Sequence, residues 1–168
     1  MSDLIKYTLS LLVYLFLQVF LFNQLTIFQV ATPFVFLLFL FTLPFDLSKT
    51  ALYLLTFGVG LLVDVLSESS ATGLHAFSGL LAISLRELVF NAITSSNVRS
   101  GSEISIRNQN TIWLVSLLLP LIFVHHLVYF YLEAMSFQHF FYTLLKVISS
   151  TAYTFSISLL IAYLFYKR

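Results

Sequence analysis

The chain has 168 residues, 60% of them hydrophobic and 9% charged, with a mean hydropathy of +0.98 and a net charge of +1. A soluble domain carries about 25% charged residues, and so few charges could not cover 19 Phe and 9 Tyr in water, whereas a bilayer accepts apolar side chains on every outward face. Composition therefore points to one membrane-embedded domain with no nucleic-acid partner, and the absence of Cys excludes disulfides, thiolate metal sites and cysteine nucleophiles.

Polar clusters and prolines divide the chain into spans, each expected to need ~17 to 25 apolar residues. The first apolar run continues to Phe22 and has no small-x-small cleavage site before Asn23 and Gln24, so it is expected to remain as a helix from Leu4 to Phe22. Thr32-Pro33 reads as an N-cap and first-turn proline opening a second helix, which runs to Leu43 before Pro44, Asp46, Ser48 and Lys49 end it. That run is short, so the helix must tilt little, sit in thin bilayer or borrow the residues before Thr32. A third span covers Thr50 to Leu66 and ends at "SESSAT"; a fourth covers Gly73 to Ile93. After the hydrophilic stretch "TSSNVRSGSEISIRNQN", a fifth span covers Thr111 to Leu132, with Pro120 as a kink site, and a sixth covers Phe140 to Tyr166. The expected fold is an all-α membrane protein of six transmembrane helices, one domain over residues 1–168, with both termini on one side.

Basic residues are retained on the cytoplasmic side of short loops. With six spans, Lys6, Lys49, Arg99, Arg107, Lys167 and Arg168 fall on the side of the termini, opposite Glu68, Glu133 and His139. Both termini are thus expected in the cytoplasm. Lys146, just inside the last span, is the one basic residue toward the other side.

The polar residues inside the spans carry the functional questions. Asp64 lies about 5 Å inside the outer end of the third span, and His75 lies at a similar depth in the returning fourth. An Asp64–His75 hydrogen bond or ion pair is therefore available. Gly60, Asp64 and Ser67 share one helix face, where Gly60 admits a neighbouring backbone, and Gly73 supplies freedom where the loop enters the next helix. The stretch reads as a tight outward hairpin. Asp64 then either marks a ligand or proton pathway or only pins the hairpin near the surface. Arg86 and Glu87 sit deeper in the fourth span and point about 100° apart; Arg86 either snorkels to the headgroups or makes a polar contact with another helix or a partner.

His125, His126, Glu133 and His139 lack the one-turn His spacing of a zinc helix, so no metal is expected. No G-x-S-x-G or glycine-rich phosphate loop occurs, and no cofactor or catalytic centre is expected. The aromatics, among them Tyr7, Tyr14, Trp113, Tyr129, Tyr131 and Tyr142, suit interfacial belts.

The run "FVFLLFLFTLP" followed by "GVGLLVDVLSESSATGLHAF" resembles the MreD family of bacterial rod shape-determining membrane proteins. The likeness is carried by Pro44, Gly58, Gly60, Asp64 to Ser67, and the Gly73, Leu74, His75 triplet. Where the family commonly has a glycine and a proline or other small residue before that triplet, this chain has "ESSAT". The resemblance covers the middle of the chain closely and the ends by hydropathy alone. It implies a non-enzymatic scaffold of the cell-elongation complex in the inner membrane. Such a scaffold holds the single-span protein MreC and couples MreB filaments to the RodA glycosyltransferase and its transpeptidase in peptidoglycan synthesis. It also implies a fold similar to the six-helix substrate-binding subunits of energy-coupling-factor vitamin transporters. Asp64, Arg86 and Glu87 are the candidate partner contacts, and lipids are expected neighbours.

Two alternatives stand beside it. A vitamin-uptake subunit would line a ligand pocket with the Asp64–His75 hairpin, but would present an Ala-x-x-x-Ala type of docking motif that this chain lacks. A membrane-embedded enzyme would need acids and histidines converging at one depth, and Asp64, His75, Glu133 and His139 all fall on the outer side.

Overall fold

The computed structural model describes residues 3–67, 71–94, 110–136 and 138–165, so the expectations resting on Glu68, Arg99, Arg107, Lys167 and Arg168 lie outside the described residues. Helix α1 spans Asp3–Phe20 and is followed by a short 3-10 turn, Phe22–Gln24. Then come α2 (Phe36–Phe41), α3 (Lys49–Leu66), α4 (Leu74–Ser84), α5 (Arg86–Ile93), α6 (Thr111–Ala134) and α7 (Phe140–Phe165). The described residues form no β-strand, only one isolated bridge, between Ile27 and Ala31. A single tightened turn at Leu85 separates α4 from α5, and together they form one apolar stretch, Leu74–Ile93. Helix α6 continues through Pro120 without interruption.

Among the described residues, five stretches are long and apolar enough to cross a membrane: Ile5–Gln24, Lys49–Leu66, Leu74–Ile93, Thr111–Ala134 and Phe140–Phe165. These match the first, third, fourth, fifth and sixth expected spans to within a few residues. The second differs. Its helix α2 has six residues, and it begins at Phe36 with Val35 as its first cap, so Thr32-Pro33 does not open it.

The path of the chain explains this segment. The Asn23 side chain donates to the Ser67 hydroxyl at 2.7 Å, which places the end of the first helical stretch at the C-terminal end of α3. The chain re-enters α3 at its opposite end, Lys49, so residues 24–48 must travel the length of an 18-residue helix, about 27 Å. They do so through the middle of the protein. From Phe34 to Phe41 every residue is between 0 and 4% exposed, so this apolar run is enclosed by protein on all sides and never meets lipid. A helix hydrophobic all round belongs in a core, and ~10 to 14 apolar residues suit a buried core helix better than an independent span.

Around it, the longer helices present apolar residues outward: Phe16, Leu54, Leu88 and Leu160 are each more than half exposed. This is the inverse of a soluble surface and the arrangement a lipid solvent favours.

Candidate functional site

The opening of α4 is built from the residues that define the hairpin in sequence. Gly73 adopts φ +103, a left-handed conformation that suits glycine. It precedes the helix without offering a side chain to cap it. The first amides of a helix lack intrahelical partners, and Asp64, on α3, supplies the missing acceptor. Its carboxylate accepts from the Gly73 amide at 2.9 Å, from the His75 amide at 3.1 Å to either oxygen, and from the Ala76 amide at 3.4 Å. An anion at a helix N-terminus also meets the favourable end of the dipole. Asp64 is 2% exposed, and these contacts are how a carboxylate is tolerated there.

The close approach depends on Gly60, one turn back on α3. A Cβ at that position would overlap the Ala76 Cα, and would lie 2.6 Å from the Ala76 nitrogen and 2.9 Å from the His75 carbonyl carbon. Gly58, by contrast, has open space around it, so of the G-x-G pair only Gly60 is a packing requirement here. Ser67, the C-cap of α3, receives the Asn23 bond.

One expectation is corrected at this point. Asp64 and His75 are bonded, but through the His75 main chain and not its imidazole. The ring turns away into an aromatic cluster, stacked on Tyr129 with centroids 4.2 Å apart and edge-on to Phe34 at 4.5 Å. Its Nδ1 is buried without a hydrogen-bond partner. His125 stacks behind it at 5.5 Å, and neither of its ring nitrogens has a hydrogen-bond partner among the described residues. The His125 and His126 rings lie edge-on to each other with centroids 5.7 Å apart, and both pack against Phe34. Among the described residues no group of three His, Asp or Glu is arranged to hold a metal.

Sequence reasoning did not find the groups that hold α2. The fully buried Gln18 on α1 accepts from the Val35 amide at 2.7 Å and the Phe36 amide at 3.3 Å, while its Nε2 donates to the Pro33 carbonyl at 3.0 Å. The Phe34 amide donates to the Thr154 hydroxyl at 2.9 Å. That hydroxyl lies 3.1 Å from His126 Nε2, whose Nδ1 is 2.8 Å from the Ile122 carbonyl. One assignment satisfies the whole chain of bonds: Nδ1 carries the proton toward Ile122, and Thr154 donates to Nε2. Ser150 accepts from the Thr32 amide at 3.0 Å. The signal for these residues was a hydroxyl stripe on α7, since Thr143, Ser150, Thr151, Thr154 and Ser158 are all buried on one face.

At the other end of α2, Arg86 closes the helix. The residue is 3% exposed, its Nε donates to the Phe41 carbonyl at 3.1 Å, and its Nη2 donates to the Leu43 carbonyl. Its guanidinium also lies 3.8 Å over the Phe45 ring. Of the two readings of Arg86, the polar contact with another element of its own chain holds, and snorkelling to headgroups does not. Pro44 sits between these acceptors and Phe45 and ends the segment. Glu87 points elsewhere and pairs with Lys49 at 2.6 Å, with both side chains mostly exposed. Of the three candidate partner contacts, only Glu87 is at the surface.

A pocket of about 210 Å³ lies where the end of α6 meets the start of α7 and the loop after α1. His75, Tyr129, Glu133 and Lys146 line it together with Asn23 and Thr32. Lys146 and Glu133 pair across it at 3.2 Å, each about a quarter exposed. A second pocket of about 200 Å³, beside Arg86, Lys49 and Glu87, lies at the opposite end. No protein-family model, curated protein or solved structure matches this chain.

Proposed function

We propose that this chain is a non-enzymatic membrane scaffold of the MreD type. In this reading the helical body binds MreC in the bacterial inner membrane and so couples MreB filaments to RodA and its transpeptidase. The observation that carries the reading is the latch between α3 and α4. Among the residues that gave the resemblance, Asp64, Gly60, Gly73 and the His75 main chain fasten the hairpin, with Asp64 on the amides of Gly73, His75 and Ala76 and Gly60 against Ala76, while Ser67 ties α3 to Asn23. A motif used to fix helix geometry suits a rigid docking body better than a catalytic centre.

The same reading counts six passes, arranged as in the substrate-binding subunits of energy-coupling-factor transporters. Residues 24–48 form the second pass, with α2 as its buried central part, and both termini face the cytoplasm. Support comes from the distance those residues must cover and from Lys6 and Lys49 falling on the side of the termini. Glu87, exposed beside Lys49, is then a contact on the cytoplasmic face.

Purification of the tagged chain from membranes in mild detergent tests the proposal. MreC or RodA is expected to co-purify. Neither protein appearing, with a stoichiometric vitamin-like molecule in their place, would overturn the scaffold in favour of an uptake subunit.

A further inference from the structure

The pocket between α6 and α7 has chemistry that the scaffold reading does not use. Its two charged groups are opposite in sign, Glu133 and Lys146, paired at 3.2 Å and partly shielded from water. Lys146 Nζ also lies 5.0 Å from the Phe130 ring centroid. His75 and Tyr129, stacked on each other, complete the wall. At about 210 Å³ the pocket is smaller than the ~300 Å³ at which pockets for drug-sized ligands begin. It suits a headgroup-sized guest.

The surroundings indicate where such a guest comes from. Tyr142, one turn before Lys146 on α7, is 51% exposed, and Phe141 and Leu145 are 83% and 53% exposed. Large apolar and aromatic side chains at the end of a span belong to the membrane interface. A charged pair recessed beside them faces the headgroup layer.

We propose that this pocket binds a zwitterion carrying an ammonium and a phosphate, as in the headgroup of an ethanolamine phospholipid. The ammonium pairs with Glu133 and the phosphate with Lys146, exchanging one ion pair for two. A single-sign ligand would leave one of the two side chains facing a like charge. The site belongs to this chain alone, so its test requires no partner and leaves the scaffold reading untouched.

The purified chain in detergent is offered phosphatidylethanolamine or phosphatidylglycerol, and retained lipid is counted by native mass spectrometry. The ethanolamine lipid is expected to be retained about tenfold better, a discrimination of about 1.4 kcal/mol. Glu133→Gln and Lys146→Met are each expected to remove most of that preference, while Glu87→Gln at the opposite end keeps it. Soluble glycerophosphoethanolamine serves as competitor. Displacement of the lipid shows that the free headgroup suffices as ligand, and retention against it assigns the lipid itself. Equal retention of the two lipids by the unaltered chain overturns the proposal whatever the variants do, as does full preference in both pocket variants.

Discussion

Asp64 and Arg86 are buried charges of opposite sign that do the same task at two ends of the molecule. The carboxylate of Asp64 satisfies the amides that open α4, and the guanidinium of Arg86 satisfies the carbonyls at the close of α2. Each charge faces the helix terminus whose partial charge it complements. They differ in reach. The partners of Asp64 are 9 to 12 residues away along the chain, and those of Arg86 are 43 and 45. The first latch forms within one hairpin; the second requires α2 to be already threaded into the core.

Removing either charge tests this contrast most severely. Asp64→Leu leaves three amides without their acceptor and is expected to cost about 3 kcal/mol, at ~1 kcal/mol for each stranded group; Arg86→Met strands two carbonyls and is expected to cost about 2 kcal/mol. The two sites are about 18 Å apart along α4 and α5, so the double variant should be additive to within ~0.5 kcal/mol. Reversible unfolding in mixed micelles measures all three. Hydrogen exchange sharpens the comparison, because Arg86→Met should loosen the amides of α2 while Asp64→Leu leaves them protected. Strong coupling between the two variants would mean that the latches are not separate devices.

An effect no larger than that of Asp64→Leu is expected from Gly60→Ala, which pushes a methyl group into the Ala76 backbone and should cost about 1 to 3 kcal/mol by overpacking. Gly58→Ala is the matched control, since its neighbourhood is open. If the two alanine variants proved equally stable in the same unfolding assay, the close approach of α3 and α4 would not be a requirement of the fold.

The smallest effect belongs to the exposed pair. Glu87→Gln breaks the ion pair with Lys49, and exposed pairs contribute little, so the unfolding midpoint should not move. A clear drop would place Glu87 with the buried latches. An unchanged midpoint with lost MreC recovery would identify it as a surface contact.

The hairpin was legible in the sequence because its parts are close in sequence and depend on local rules. An acid near the end of one span, a glycine at the start of the next and a second glycine on the acid's face leave few alternatives. The direction of the His75 ring was not legible, because Phe34 and Tyr129, which receive it, come from distant segments. Gln18 and Thr154 do not stand out in the sequence for the same reason. A lone amide in α1 and one hydroxyl among several in α7 gain meaning only when the amides of α2 arrive beside them.

By itself, the sequence determined the solvent, the helical class and the bounds of five long apolar stretches, since each follows from composition and local periodicity. It also determined the α3–α4 hairpin, whose chemistry lies within some twenty residues. Only the tertiary structure decided that the apolar run from Phe34 to Phe41 is a core segment enclosed by protein. Hydropathy reports how a residue dislikes water, and it has the same value whether lipid or protein surrounds the side chain. The distinction was made by the groups that satisfy the backbone at the two ends of α2, Gln18 and Thr154 at one and Arg86 at the other.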